Sequence, residues 1–288
     1  MGSNIFHSIA WLQLMSSDKV KYIRPKGSRL EFAFREIWEY RELLYFLVWK
    51  QIKTKYKQTA MGIGWAVLQP LLSMIIFTVI FSTLANIPTE GIPYAAFIYT
   101  TLILWTFFST TLASGSMSMV SNANMISKIY FPRILLPLSL VIAGLLDYAI
   151  AFGLLIVLML ALSIPFTLWM VLIFIPLALT VVLSAGMCFW LSALSAKYRD
   201  VQYITPFFIQ LLLFASPIIY SWNNVTNYRW ILEWNPLAGI MSMQRYLTFG
   251  HPMVPDALLI TSTIICTLIF FGGMFYFKHY ERQLADVI

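Results

Sequence analysis

Polar and apolar positions separate sharply along this chain. From Glu31 to Lys57 they alternate with a helical period. At about 100° per residue, Phe34, Ile37, Leu44, Tyr45, Val48 and Ile52 share one face. Glu36, Glu39, Glu42, Lys50, Lys53 and Lys57 take the opposite arc, acids first and bases last, as the helix dipole favours. Then charge disappears from Gln58 to Thr89, and Met61–Ala85 is long enough to cross a bilayer, which takes about 20 apolar residues. The pattern predicts a helix lying in the membrane interface that runs directly into a spanning helix. It is read either as a lever that carries force into the membrane or as a juxtamembrane anchor.

The same reading predicts five further spans. They are Pro93–Val120, Leu135–Leu162, Leu168–Ala196 with a bend at Pro176, Tyr203–Tyr220 and Ala257–Phe277. Ser121–Leu136 is a polar loop with room for one short helix, and Lys197–Asp200 is a tight polar connection. Residues 221–256 are apolar but interrupted by Asn223, Asn224, Asn235, Pro236, Gly250 and Pro252. Neither piece is long enough to cross. Asn235 before Pro236 starts a helix and Gly250 stops one, so two short re-entrant helices are expected there. Such backbone is tolerated at membrane depth only under cover of protein or water. The expected fold is therefore all-α integral membrane. Residues 1–30 are a lead-in, 31–57 an amphipathic interfacial helix and 58–288 a six-span domain.

Composition agrees with a polytopic membrane protein: 60% of residues are hydrophobic and only 11% charged, against about 25% charged in soluble domains. The +7 net charge is no nucleic-acid footprint, because the bases sit beside spans. With six spans, seventeen Lys and Arg fall on the side of both termini and two, Arg229 and Arg245, on the other. The positive-inside rule then puts both termini in the cytosol. No cleavable leader is expected, since Ile5–Met15 is short and lacks a basic start.

Candidate chemistry is sparse. There is no G-x-x-x-x-G-K-[ST], so no P-loop for ATP. His7, His251 and His279 lie on separate segments and make no metal pattern, and Cys188 and Cys266 sit in apolar runs as expected buried thiols. Asp147 is the acid well inside a span. It is read either as a functional carboxylate or as a structural hydrogen-bond acceptor for a neighbouring helix. Aromatic residues make up 16% of the chain. Most suit lipid or the interface belts. Phe77 and Phe81 late in the first span, and Phe207, Phe214, Tyr220 and Trp222 along the fifth, are candidates to line a path on which sugar faces stack; lipid or core packing is the competing reading.

Several stretches together resemble a known family. They are Tyr40–Lys50, Ile52–Thr59, Gly62–Trp65, Leu68–Pro70, Lys128–Arg133 with Leu136 and Pro137, Tyr198–Val201, Ser216–Tyr220, Trp234–Pro236 and the tail Ala285–Ile288. This combination resembles the membrane subunit of ABC-2-type polysaccharide exporters, from about Glu31 to the end. The resemblance implies a homodimer of six-span permease subunits in a bacterial cytoplasmic (inner) membrane, paired with two copies of a separate ATPase. ATP and Mg would be bound there, and this chain would carry no cofactor and no catalytic residue. It implies ATPase contacts along the amphipathic helix (Glu39, Arg41, Glu42), a coupling helix around Asn122 to Ile129 (Asn122, Asn124, Lys128), and the Tyr198, Arg199 and Asp200 connection. The re-entrant helices resemble an outer gate. The family's substrates are glycans on polyprenyl pyrophosphate, such as O-antigen, capsule or teichoic acid. A pyrophosphate head group at the cytosolic interface needs cations, and Lys53, Lys55, Lys57 and Arg133 are placed to offer them; contact with lipid phosphates or the ATPase is the alternative. A drug or lipid efflux permease, and a membrane-embedded enzyme on polyprenyl-linked sugars, are the competing functions. The enzyme would need clustered acids, and Asp147 stands alone.

Overall fold

The computed structural model describes residues 35–57, 62, 64–84, 87–89, 91–225, 229–250 and 254–284. The lead-in 1–30, the start of the amphipathic helix including Phe34, and the tail Ala285–Ile288 lie outside them. The described residues are helical and contain no strand. The long elements are α1 (Arg41–Lys57), α2 (Gly64–Phe77), α3 (Tyr94–Ser116), α4 (Leu135–Ala161), α5 (Phe174–Lys197), α6 (Val201–Ala215), α7 (Pro236–Phe249) and α8 (Asp256–Leu284).

Among the described residues, five stretches are long and apolar enough to cross a membrane: Gly64–Ser82, Tyr94–Ser116, Leu135–Ala161, Leu168–Lys197 and Asp256–Glu281. The expected fifth span, Tyr203–Tyr220, is helical only over the 15 residues of α6. At 1.5 Å per residue it is about 22 Å long, short of the roughly 30 Å hydrocarbon layer. Pro217 explains the early stop, because it pushes Ser216 out of the helical region and Ser216 sits at ψ 148°. The bend expected at Pro176 is instead a change of helix type. A 3-10 turn over Leu168–Ile173 gives way to α5 at Phe174.

The helix α3 is the axis of the molecule. In its most apolar window 78% of residues are buried, against 11% for Gly64–Ser82. It packs on α4 and α5, and α5 packs on α8. The α5–α8 contact brings backbones together. A Cβ on Gly186 would lie 2.6 Å from Phe270 Cα, and one on Gly273 2.3 Å from the Gly186 carbonyl oxygen. Small residues allow close helix approach where lipid tails remove the hydrophobic drive between helices. Cys188 and Cys266 are fully buried free thiols, as expected.

α7 forms as its sequence predicts. The Asn235 side chain accepts from the Leu237 amide, Pro236 takes the first turn, and Gly250 closes the helix at φ 80°. A helix also forms over Arg41–Lys57, and Ile37, Leu44, Val48 and Ile52 of the expected apolar face are partly covered, while Tyr45 and Glu36 depart from it. Leu47 is its most buried residue, whereas Tyr45 is 64% exposed. Glu36, expected on the polar arc, is instead half-buried against the end of α8. The reason is that α1 packs on α4 and two ion pairs pin its ends.

Candidate functional site

Two ends of the bundle are chemically distinct. One, the basic end, carries α1, the loop 117–134, Lys197 and the last turns of α8. The other, the distal end, carries the start of α3, the segment 216–235 and α7.

At the basic end, α1 slants from the end of α8 into the side of α4. Lys50 Nζ donates to Asn122 Oδ1 at 3.4 Å. Further along α1, Lys55 Nζ lies 2.5 Å from Asp147 Oδ2, and the Tyr56 hydroxyl donates to Asp147 Oδ1. Burial and the adjoining Asp147 carboxylate both hold the Tyr56 phenol above its usual range. Asp147 stands twelve residues into α4, about 18 Å along its axis. Asp147 thus accepts from two side chains of α1, Lys55 and Tyr56.

The pair lines a crevice of about 500 Å³ between α1, α2, α3 and α4. Gln51 and Thr54 come from α1, Gln69 from α2, Thr110, Thr111 and Ser114 from α3, and Gly144 and Asp147 from α4. A smaller pocket of about 50 Å³ shares Lys55, Gln69, Thr110 and Asp147 and adds Trp65, Phe107 and Tyr148. The Thr111 hydroxyl is buried and has no hydrogen-bond partner among the described residues.

A second cluster ties three segments together. Lys278 of α8 pairs with Glu36 ahead of α1 and with Glu281, at 2.8 Å to the latter. The Arg133 backbone N–H donates to Glu281 Oε1 at 2.7 Å. Burial lifts the Glu36 carboxyl above its usual range despite the Lys278 ammonium, which Glu281 shares. The sequence reading missed this cluster. Its one visible signal was the i,i+3 spacing of Lys278 and Glu281.

The expected coupling helix is two single turns, Ser118–Ser121 and Ala123–Ile126, broken at Asn122. Asn124 and Lys128 are exposed. Lys128, Tyr130 and Arg133 line a loop cavity of about 210 Å³. Glu39, Arg41 and Glu42 are exposed on or just before α1, with Glu39 paired to Arg35 at 2.8 Å. Tyr198, Arg199 and Asp200 are exposed at the same end. The four expected head-group cations do not form one site: Arg133 lines the loop cavity, Lys55 is turned to Asp147 in the crevice, and Lys53 and Lys57 face outward.

The distal end is tied together by buried hydrogen bonds. Beyond Ala215 the chain leaves the helix, and its carbonyls find donors from other elements. Asn235 Nδ2 donates to the Ala215 oxygen at 3.0 Å, and the Tyr94 hydroxyl to Ile219 at 3.0 Å. Arg245 of α7, 1% exposed, donates through Nη2 to the Ile218 oxygen at 2.5 Å and through Nη1 to Tyr220 at 2.8 Å. Its guanidinium lies 3.8 Å from the Phe97 ring centroid.

The six expected pathway aromatics part company. Phe207 and Phe214 are exposed on α6, and Tyr220 is half-buried. Phe77 and Phe81 contact each other, centroids 5.9 Å apart, and pack partly against the core. Trp222 is 4% exposed among Leu232, Ala238 and Leu258, with Arg229 over its ring at 4.8 Å. It therefore holds the 222–258 region together and offers no open face to a path.

Known proteins match this arrangement from near its start to near its end. The O-antigen export system permease protein RfbA of Myxococcus xanthus is 23% identical over 258 residues, 88% of this chain and 98% of its own length. RfbA of Klebsiella pneumoniae is 26% identical over 251 residues, covering 86% and 95%. The polysialic acid transport protein KpsM of Escherichia coli is 24% identical over 244 residues, covering 82% and 93%. Residues 42–249, which run from α1 through α7 and so take in both the crevice and the distal end, match the family described as ABC-2 type transporter. The chain belongs to that family.

Proposed function

We propose that the chain is the membrane subunit of an ATP-driven exporter of a lipid-linked polysaccharide, O-antigen or a related surface glycan. The observation that carries this reading is the near end-to-end match to relatives named for O-antigen export and polysialic acid transport. The chain is then a transport component of the bacterial inner membrane, and hydrolysis of ATP falls to a separate ATPase.

The finer picture follows from the same reading. α6 with the segment to Tyr220 is the fifth of six spans, a broken one, and 221–256 are the re-entrant outer gate. The basic end faces the cytosol with both termini, and α1 lies along that interface. Two chains pair across a seam formed by the most uncovered elements. Ile75, Ile76 and Val79 on the first span, and Tyr203, Phe207, Leu211 and Phe214 on α6, supply its exposed apolar surface. Two ATPase copies engage the exposed polar groups of the basic end: Glu39, Arg41 and Glu42, the Asn122–Lys128 loop, and Tyr198–Asp200. ATP binding draws the ATPases together. Their motion passes through α1, pinned by Lys55 to Asp147 and by Glu36 to Lys278, into α4 and α8. Lys53, Lys57 and Arg133 remain the cations able to meet a pyrophosphate.

The test is a strain lacking this chain, with glycan fractionated by compartment. Polyprenyl-linked polymer should build up in the cytosol and be lost at the surface. Normal surface glycan with new sensitivity to a small toxic compound would replace this reading with drug or lipid efflux.

A further inference from the structure

Charge pairs inside a membrane protein are costly unless their surroundings are polar. The crevice is where this protein accepts that cost. Lys55 and Asp147 cancel each other's charge, so the crevice holds no net attraction for a phosphate or pyrophosphate. Yet its polar capacity exceeds what the pair uses. An ammonium has three donors and a carboxylate about four acceptor positions. The Gln69 amide and the Thr110 hydroxyl line both pockets. Beside them the Trp65 indole remains 47% exposed and lines the smaller, adjoining pocket.

Neutral overall, rich in mixed donors and acceptors, and edged by an indole: this is the chemistry of a ligand with many hydroxyls and an apolar C–H face. The volume of about 500 Å³ lies within the roughly 300–1,000 Å³ of ordinary small-molecule pockets. The geometry points to a carbohydrate site, and we propose that the crevice binds a neutral sugar residue. Trp65 packs on the ring face. Gln69 and Thr110 bond its hydroxyls. The paired Lys55 and Asp147 serve as a polar floor. This deepens the export reading, on which it rests. It places one sugar of the substrate inside a single subunit, away from the exposed surface of α6.

The experiment uses the full chain in lipid nanodiscs and saturation-transfer NMR with N-acetylglucosamine, galactose, mannose and rhamnose as separate probes. At least one sugar should receive saturation from the protein. Thr110→Val, close in shape to the native residue, and Gln69→Leu should each raise its half-saturation concentration about tenfold, the worth of one lost hydrogen bond at the upper end of its range. No transfer to any sugar, or equal transfer in both variants, would overturn the proposal. So would transfer to phosphoethanolamine with none to the sugars, which would make the crevice a lipid head-group site. If surface glycan is lost from cells lacking the chain and no sugar binds, this inference falls and the export reading stands. If surface glycan is normal, the export reading itself falls and takes this inference with it.

Discussion

Arg245 and the Lys55–Asp147 pair are both charges held inside the bundle, and the protein treats them in opposite ways. Arg245 at the distal end is closed in. Its guanidinium donates to the carbonyls of Ile218 and Tyr220 and to Thr101 Oγ1, and it stacks on Phe97. It supplies donors that a broken helix needs where water is absent. Lys55 and Asp147 at the basic end are paired yet open. Asp147 keeps 18% of its side chain exposed and Lys55 52%, both facing a cavity. The contrast separates a charge spent on backbone from a charge kept beside a vacant volume. The first kind should be felt as stability, the second as binding.

The largest effect should follow Arg245→Met. The side chain keeps much of its volume, but the Ile218 and Tyr220 carbonyls lose charged donors, each worth roughly 1.5–3 kcal/mol. A loss of about 4 kcal/mol is expected, read as a fall in thermal unfolding temperature in detergent. Arg245→Lys should recover only part of it, because one ammonium does not reproduce the planar fork of donors. An unchanged melting temperature would break the comparison at its structural end.

Lys278→Met comes next. It leaves Glu36 and Glu281 facing each other at 15% and 17% side-chain exposure. Removing one partner of a buried pair costs about 3 kcal/mol. Limited proteolysis ahead of α1 should quicken, since Glu36 anchors that segment to α8. If cleavage stays as in the wild type, the ion pair does not hold α1.

Much of this was legible in the chain. Hydropathy located the long helices, and Asn235, Pro236 and Gly250 bounded α7 to the residue. The end of α6 was legible as well, because Ser216 precedes Pro217, but continued apolar sequence to Tyr220 hid it. The covered face of α1 was legible at Ile37, Leu44, Val48 and Ile52, but not at Tyr45 or Glu36. Periodicity put Tyr45 inside and Glu36 outside; the choice was made by Asp147 and Lys278, which lie 92 and 242 residues away from their partners. Arg245 read as an ordinary exterior cation, because nothing local shows that carbonyls 25 and 27 residues earlier need donors. Of the site, the exposed polar groups of the basic end were visible, whereas the crevice exists only where four helices meet.

Asp147→Asn tests the open end. Asn keeps an acceptor for the Tyr56 hydroxyl, and Lys55, about half exposed, can turn to water. The stability change should stay within about 1 kcal/mol, as for exposed ion pairs. Sugar saturation transfer should nonetheless weaken several-fold, since an unpaired ammonium then faces the crevice. A large thermal loss with unchanged sugar transfer would make Asp147 a structural charge like Arg245.

The smallest effect belongs to Glu36→Gln, and its sign is informative. Burial raises the Glu36 carboxyl above its ordinary value of 4.5. A raised carboxyl binds its proton more tightly in the folded protein. Its contribution to stability is therefore full below the ordinary carboxylate value and is lost as pH rises through the folded one. Glutamine mimics the protonated form and leaves Lys278 its bond to Glu281. At pH 7 the variant should be slightly the more stable, by up to about 0.5 kcal/mol, and the two should converge in acid. As pH falls through the raised folded value the wild type regains its protonated Glu36. Its unfolding temperature should then rise relative to the variant's as pH is lowered from 7 toward 4. A variant that is instead markedly less stable at pH 7, with the gap closing in acid, would show that the Lys278 ammonium outweighs burial. Glu36 would then be an ordinary stabilising ion pair.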